Sequence, residues 1–229
     1  MKLFCKALLL WAILVAAPGV SALGIVNPYF SAVPVGCGGG YAYQVFEVGC
    51  GSIPPQQDFN SAPGMGWTFN TPAANGLTNA GTAFNPPSFD GLPFSQAVFL
   101  QDNHGAVWQS IAGFEAGATY ALSFYLGSRY LDTGSTDGNQ TVEALLDSDL
   151  IGSWSLNSFS PFALESAVFT SSTSGARTLK FRGTVAGDHT AFLSGVTIVA
   201  TAVPEPAAFV LFVCGLAVLG WTCRKHLIT

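Results

Sequence analysis

Arg129, Tyr130 and Trp154 are the residues of this chain whose types best suit ligand binding. A guanidinium group donates several hydrogen bonds in a fixed plane, which suits hydroxyl and carboxylate acceptors. The flat faces of Tyr and Trp stack on apolar ring surfaces while their polar atoms remain available. We therefore predict a binding site at these three residues, with Arg129 and Tyr130 at a strand end.

Residues that could catalyse a reaction are few. The sequence has none of the local signatures of serine hydrolases, zinc proteases or phosphate-binding loops. His104 and His189 lie in polar turns and are predicted to be solvated. Asp147 and Asp149 could act as a glycosidase acid pair only if they flanked a cleft. A tight turn between two strands is the preferred interpretation, so no catalytic residue is predicted.

Short alternating segments must position these residues. Turn-forming residues recur every 8 to 12 positions between residues 23 and 202, and no helical periodicity persists there. This pattern is typical of an all-β, two-sheet antiparallel sandwich, most simply a jelly roll of about ten strands. The predicted strands are Tyr41 to Val48, Gly66 to Asn70, Gln96 to Leu100, Val107 to Ala112, Thr119 to Leu126, Thr141 to Leu146, Phe162 to Thr170, Thr178 to Arg182 and Ala191 to Val199.

Two local predictions accompany these strands. Asp102 to Gly105 has the composition of a hairpin turn between the strands on either side. Trp67 and Trp108 are predicted to lie in the core, because a sandwich needs large inward-facing side chains.

The N-terminal segment has the features of an export signal. Lys2 and Lys6 precede the apolar run Ala7 to Ala17, and Ala22 ends a stretch of small residues suited to signal peptidase. We predict a signal peptide over residues 1–22 and a sandwich domain over residues 23–202.

The C-terminal segment, residues 203–229, has three parts in a fixed order. Val203, Pro204, Glu205 and Pro206 precede an uncharged run at 207–223, and a basic end at 224–229 follows. As a helix, the 17-residue run would be about 26 Å long, slightly short of a hydrocarbon core of about 30 Å. A single-pass membrane anchor and a processing signal both fit these features.

This tail closely resembles the PEP-CTERM sorting signal of bacteria that make extracellular polysaccharide. The resemblance implies recognition by a membrane-embedded processing enzyme, exosortase, while the helix is in the membrane. It further implies delivery to the cell envelope, the cell surface or the extracellular matrix, and we expect the mature C-terminus near Pro206.

Charge limits the partners of the domain. Residues 23–202 hold 12 acidic side chains and the four basic residues Arg129, Arg177, Lys180 and Arg182, so the formal net charge is 4 − 12 = −8. Such a balance argues against nucleic acid and acidic glycans as partners.

The order of several segments resembles the galactose-binding-like jelly roll found in carbohydrate-binding modules and exported bacterial proteins. Those segments are Gly66 to Phe69, Asp90 to Gly91, Gln96 to Gln101, Val107 to Ile111, Gly117 to Phe124 and Gly187 to Leu193. The same segments, together with Ser123 to Arg129, resemble the hapalindole-type cyclases. That second resemblance implies a pocket with a carboxylic acid, but no acid of this chain can be matched to it.

Related jelly rolls often hold a structural calcium ion, which is the one cofactor that the resemblance implies. The family places acidic residues after the first Asn-x-x-Phe and after a late Ala-Phe-Leu. Here Ser31 and Ser194 occupy those positions, which leaves Asp188 and backbone carbonyl groups. We therefore predict no cofactor and no metal ligand.

These features favour an exported, non-enzymatic sandwich that binds neutral polysaccharide or serves as a matrix component. A pocket enzyme of the cyclase type and a purely structural surface protein are the alternatives. A ligand-sized cavity with an inward acid would favour the enzyme.

We predict a disulfide bond between Cys37 and Cys50, the only two cysteines of the exported domain. Closing a loop of about 14 residues is worth roughly 3 kcal/mol in the chain-entropy model. Mass spectrometry after alkylation of the native exported protein without reductant should find neither Cys37 nor Cys50 alkylated. Alkylation of both cysteines would show that the bond is absent.

Overall fold

The computed structural model describes residues 21–32, 41–43, 60, 63–70, 75–80, 84–129 and 137–201. Residues 1–20 of the predicted signal peptide, the predicted disulfide, Tyr130 and the sorting tail lie outside the described residues. Within the described ranges, none of the helical segments is both apolar enough and long enough to span a bilayer.

The described strands form two antiparallel sheets that confirm the predicted sandwich. A six-stranded sheet has the order β1-β3-β4-β11-β6-β9, and a five-stranded sheet has the order β2-β5-β10-β7-β8. The strands are β1 (Tyr41–Tyr43), β2 (Thr68–Phe69), β3 (Asn75–Asn79), β4 (Gln96–Gln101), β5 (Ala106–Phe114), β6 (Thr119–Ser128), β7 (Thr141–Leu146), β8 (Asp149–Ser155), β9 (Ala163–Thr170), β10 (Gly175–Gly183) and β11 (Thr190–Ala200).

The core lies between the two sheets and follows from alternation along the strands. On β6, Tyr120, Leu122, Phe124 and Leu126 are buried, and the residues between them face outward. Leu179 and Phe181 on β10 oppose this row from the other sheet. Trp67 also lies in this interior cluster, which confirms its predicted core position.

The sequence prediction missed two strands, β3 and β8, and one predicted connection is wrong. The turn from Asp102 to Gly105 does not close a hairpin, because β4 belongs to the six-stranded sheet and β5 to the five-stranded sheet. The turn composition correctly indicated a chain reversal. It could not indicate whether the two strands would bond to each other or pack across the core.

The start of the described chain completes the six-stranded sheet beside the second half of β11. Ala22 forms a β-bridge with Val199, and the Leu23 N–H donates to the Ile198 carbonyl over 2.9 Å. The carboxamide of buried Gln109 on β5 both accepts from and donates to the Val26 backbone, at 2.8 and 2.9 Å. Gln109 therefore fastens this N-terminal segment to the five-stranded sheet.

Arg177 on β10 is a buried cation that fastens the β7–β8 hairpin. Its Nε lies 2.7 Å from Asp147 Oδ2, and its Nη2 lies 3.1 Å from Asp149 Oδ2. Nη1 donates to the hydroxyls of Ser171 and Ser172. Asp147 and Asp149 therefore hold the hairpin to β10 through Arg177. The predicted tight turn between two strands is confirmed. Burial of the guanidinium is tolerated because each nitrogen has an acceptor.

Asp147 has a lowered pKa because its carboxylate accepts the Thr178 backbone N–H and also pairs with Arg177. A lowered folded-state pKa stabilises the fold above the unfolded pKa of about 3.9, and this stability is lost as pH falls through the folded value. Asp147→Asn should cost about 1–2 kcal/mol at pH 7, since the half-exposed carboxylate is screened. Urea unfolding at pH 7 and pH 2.5 should show this difference shrinking at the lower pH.

Glu143→Gln provides the control, because Glu143 pairs with the more exposed Arg182 on the outer face of the same sheet. It should cost less than about 1 kcal/mol. A loss for Asp147→Asn that is equally large at both pH values would contradict the assignment.

Candidate functional site

The candidate site lies at one end of the outer face of the six-stranded sheet. Thr190 at the start of β11 pairs with Gln101 at the end of β4, and the Arg129 N–H donates to the Thr190 carbonyl over 3.1 Å. Because their neighbours Leu100 and Ala191 point into the core, Gln101 and Thr190 point outward. Alternation beyond the end of β6 places Arg129 in the same row.

Arg129 is held between a carboxylate and an aromatic ring. Its Nη1 lies 2.9 Å from Asp188 Oδ1, and the Gln101 carboxamide donates to the same oxygen. The guanidinium carbon lies 5.2 Å from the centre of the Phe84 ring. The Arg129 side chain is only 13% exposed, whereas Asp188 is 60% exposed. The guanidinium is therefore fixed in orientation, and the carboxylate is open to solvent beside it.

The loop that carries Asp188 is positioned by the buried side chain of Gln140. Its Oε1 accepts the backbone N–H groups of Thr184 and Val185 at 3.1 and 2.8 Å. Its Nε2 donates to the His189 carbonyl at 2.9 Å. One carboxamide thus binds both ends of the loop from 184 to 189.

Asp102 holds the same loop from the other side. Its Oδ1 accepts the Gly187 N–H over 3.1 Å, and its backbone carbonyl accepts from the Gln140 amide. The backbone N–H groups of Asn103 and Gly187 lower the pKa of this carboxyl, and His104 contributes less. Asp102 therefore remains an anionic loop anchor at neutral pH.

An aromatic cluster covers the sheet next to Arg129. Phe84 stacks on Phe99 with the ring centres 4.2 Å apart, and Phe94 lies against Tyr125 at 5.2 Å. The segment 84–94 thus lies over the outer face of the sheet and forms a second apolar cluster with Phe192. The sequence predicted no strand over residues 84–94, and the spacing of Phe84, Phe89 and Phe94 at five-residue intervals was the signal for such a cover.

Of the other two predicted binding residues, Trp154 is described and lies elsewhere. Trp154 belongs to the interior cluster, with its ring edge-on to Phe124 at 4.8 Å and 86°. It is therefore not on the surface that carries Arg129. Tyr130 follows Arg129 directly but lies outside the described residues. Ligand binding by Arg129, Tyr130 and Trp154 stays a prediction.

Trp108 is not in the core, so that prediction is wrong. It lies on the outer face of the five-stranded sheet, where the Lys180 ammonium is 5.9 Å from the ring centre. Alternation on β5 turns Val107 inward, and so it turns Trp108 outward. His104 is exposed as predicted, whereas His189 is half-buried in its loop.

Ser194 and Ser31, at the two positions where the jelly-roll resemblance implies calcium ligands, make hydrogen bonds within the fold. The Ser194 hydroxyl donates to the Gln96 carbonyl over 3.0 Å, and the Gln96 carboxamide donates to the Phe30 carbonyl over 2.5 Å. Ser31 donates its N–H to the Asn27 side chain. In the part of the chain that the structure describes, no cluster of three or more His, Cys, Asp or Glu side chains could hold a metal ion.

The site can donate and accept hydrogen bonds, while the Phe84 ring is buried against Arg129 and Phe99 and holds the guanidinium in place. A general acid at neutral pH needs a carboxyl whose pKa is raised by burial or by like charge. Asp102, which anchors the loop, has a lowered pKa, and Asp188 is 60% exposed. The described geometry therefore suits recognition of hydroxyl groups better than proton donation.

Comparison with known proteins supports the fold. No protein-family model matches the chain, and no curated protein matches it. An apo cyclase from Fischerella sp. is 14% identical, with 81% of this chain and 98% of that chain covered and a TM-score of 0.53. A Stig cyclase from Fischerella sp. TAU, in complex with an indole compound, is 13% identical, covers 80% and 99%, and has a TM-score of 0.54. At this identity, the similarity establishes a shared sandwich fold alone.

A carbohydrate-binding module, CBM36 in complex with calcium and xylotriose, is also similar. It is 16% identical, with 58% of this chain and 96% of that chain covered, but its TM-score is 0.35. A score this low supports no argument about ligand or metal.

Gln140→Met should destabilise the fold by about 1–3 kcal/mol, because a side chain of similar volume then lacks the acceptor for the Val185 N–H and the donor to the His189 carbonyl. Amide hydrogen exchange should accelerate at residues 184–190 in particular. Gln109→Met is the matched control, since it removes an equally buried carboxamide that fastens the N-terminal segment instead. Faster exchange at 184–190 in both variants, or in neither, would contradict the assigned role of Gln140.

Proposed function

We propose that this chain is an exported surface or matrix protein whose sandwich binds neutral polysaccharide without cleaving it. The arrangement of Arg129 between Asp188 and Phe84 carries the proposal. A fixed donor beside an exposed acceptor is the pair of groups that recognises sugar hydroxyls. The buried Phe84 ring contributes by holding the donor in place.

The charge of the site supports an uncharged ligand. The Asp188 carboxylate already neutralises the Arg129 guanidinium, so the pair offers hydrogen bonds without a net attraction for anions. Arg177 and Arg182 are likewise paired with acids within the fold. With a net charge of −8 over residues 23–202, the domain would repel acidic glycans.

The export part of the proposal rests on the sequence at the two termini. A signal peptide cleaved after Ala22 would release a chain whose first residues are those that dock beside β11. The tail with Pro204, Glu205 and Pro206 would be recognised by an exosortase-type enzyme while its apolar run is in the membrane. This route would deliver the protein to a polysaccharide-rich surface.

A cyclase-type pocket enzyme is the second candidate, because the fold is shared with Stig cyclases over nearly their whole length. Such an enzyme needs an acid in an enclosed pocket. Asp188 is the acid at the described site, and it is 60% exposed and paired with Arg129 rather than enclosed. These contacts favour binding over proton transfer.

Arg129→Gln and Asp188→Asn should each weaken binding about 5- to 10-fold, because each removes a charge-assisted hydrogen bond to the sugar or to its partner. Affinity electrophoresis of the full-length protein in gels containing neutral galactomannan should show this as faster migration. Asp188→Asn tests the site even if Arg129→Gln perturbs folding, since Asp188 is largely exposed.

Arg182→Gln is the control, because it removes a paired arginine from the outer face of the other sheet. It should migrate like the parent protein. Equal retention of Arg129→Gln, Asp188→Asn and Arg182→Gln would show that the Arg129 cluster is not the binding site. Turnover of an indole substrate without retention by any neutral polysaccharide would favour the cyclase instead.

A further inference from the structure

An uncharged surface lies on the other half of the outer face of the six-stranded sheet. We call it the hydroxyl face. It is formed by the outward side chains of three adjacent strands: Thr119, Ala121, Ser123 and Tyr125 on β6, Leu164, Ser166, Val168 and Thr170 on β9, and Thr197 and Val199 on β11.

The register places these side chains in rows across the strands that alternate between polar and apolar. Ser166 lies opposite Ser123, which lies opposite Thr197. The next row contains Val168, Ala121 and Val199. The hydroxyls of Ser123 and Thr197 are 2.7 Å apart and satisfy each other, as do those of Thr119 and Thr170 at 3.3 Å. The surface therefore combines hydroxyl groups with apolar patches.

Two apolar members of this face are largely exposed, and a third exposed ring lies at its margin. Leu164 is 62% exposed and Val168 is 67% exposed, both on the edge strand β9. Tyr29, at the opposite margin, is 37% exposed. These residues are three of the five large exposed hydrophobics among the described residues. An exposed apolar group of this kind on one face indicates a contact surface.

A bulge in β11 shapes the margin of this face. The register between β11 and β6 shifts between Ser194 and Thr197, and Gly195 has a φ of +65°. A Cβ added at Gly195 would lie 2.9 Å from Tyr125 and 3.6 Å from Tyr29. The rings of Tyr125 and Tyr29 therefore pack over the backbone of Gly195, where a side chain would clash with Tyr125. Phe94 contacts both rings and forms a wall beside them.

We infer that the hydroxyl face binds the apolar side of an uncharged polysaccharide chain, as a second contact besides the Arg129 cluster. This inference rests on the proposed function for the class of ligand. Its own support is that all ten side chains of the face are uncharged in a domain with a net charge of −8. An uncharged partner rich in hydroxyl groups meets no repulsion there.

The dimensions of the face favour a glycan over a second copy of this chain. Three strands about 4.8 Å apart and six residues of about 3.3 Å each give roughly 300 Å². A stable protein interface needs about 800 Å² per partner. Glu165 further discourages pairing at the β9 edge, because it lies opposite Phe124 and so points toward the interior side of the strand.

The two contacts are separate along the same sheet. Tyr125 and Arg129 are four residues apart, about 13 Å along an extended strand. The covered cluster of Phe84, Phe99 and Phe192 lies between them. Substitutions can therefore test each contact independently of the other.

Leu164→Asn should reduce retention of the full-length protein in galactomannan gels at least threefold, with an unchanged melting temperature because the side chain is exposed. Leu150→Asn is a matched control, since Leu150 is 57% exposed on the edge strand of the other sheet. It should migrate like the parent protein. The double variant Leu164→Asn/Val168→Thr should lose more than Leu164→Asn alone. Alginate gels, which contain an acidic glycan, should retain none of the proteins.

The outcomes separate this inference from the proposed function. If Arg129→Gln loses retention and Leu164→Asn does not, the glycan binds at the Arg129 site and not at the hydroxyl face, which overturns the inference. If Leu164→Asn alone loses retention, the hydroxyl face stands without the Arg129 site. If neutral galactomannan, β-glucan and xylan all fail to retain the parent protein, both are overturned. A dimer in light scattering that Leu164→Asn converts to a monomer would show that a second copy occupies the face, which also overturns the inference.

Discussion

The buried carboxamide of Gln140 is the interaction on which the candidate site depends. Gln140 lies directly before β7 of the five-stranded sheet, yet its side chain binds the backbone of the loop that leads into β11 of the six-stranded sheet. The two sheets are thereby joined at this end by an amide with a partner for each of its polar atoms. An unsatisfied amide here would be costly, so the loop has one favoured path. That path places Asp188 beside Arg129.

The packed interior explains why recognition is expected on the surface. Phe124 and Phe181 meet across the sandwich with ring centres 5.0 Å apart, and Trp154 closes the same region from β8. The large side chains between the sheets are used for stability. The outer face of the six-stranded sheet is different, because the segment 84–94 covers only part of it. At one end of that cover lies the Arg129 cluster, and at the other lies the hydroxyl face.

Alternation in the sequence predicted much of the sandwich, but it could not predict long-range partners. The period-two pattern of Tyr120 to Leu126 gave β6 and its buried face correctly. Asn75–Asn79 has no such pattern, so β3 was missed. Its buried Asn75 side chain donates to the Ala106 carbonyl across the sandwich, which is a long-range partner that the sequence did not indicate. Arg129 was identified as a site residue from its type. Its partner Asp188 lies 59 positions away, and only the register of β4, β6 and β11 brings the two together. Trp154 has a suitable type for stacking, but a register shift between β7 and β8 pairs it with inward-facing Val142, and the sequence did not indicate that shift.

Hydrogen exchange of the full-length protein with and without neutral galactomannan tests the central claim most directly, because it locates the contact without any substitution. We expect slower exchange at residues 184–190 and at the end of β6, and no change in the β7–β8 turn at 147–148, which belongs to the other sheet. Protection confined to that turn, or protection at no position, would contradict a glycan site at the Arg129 end of the sandwich.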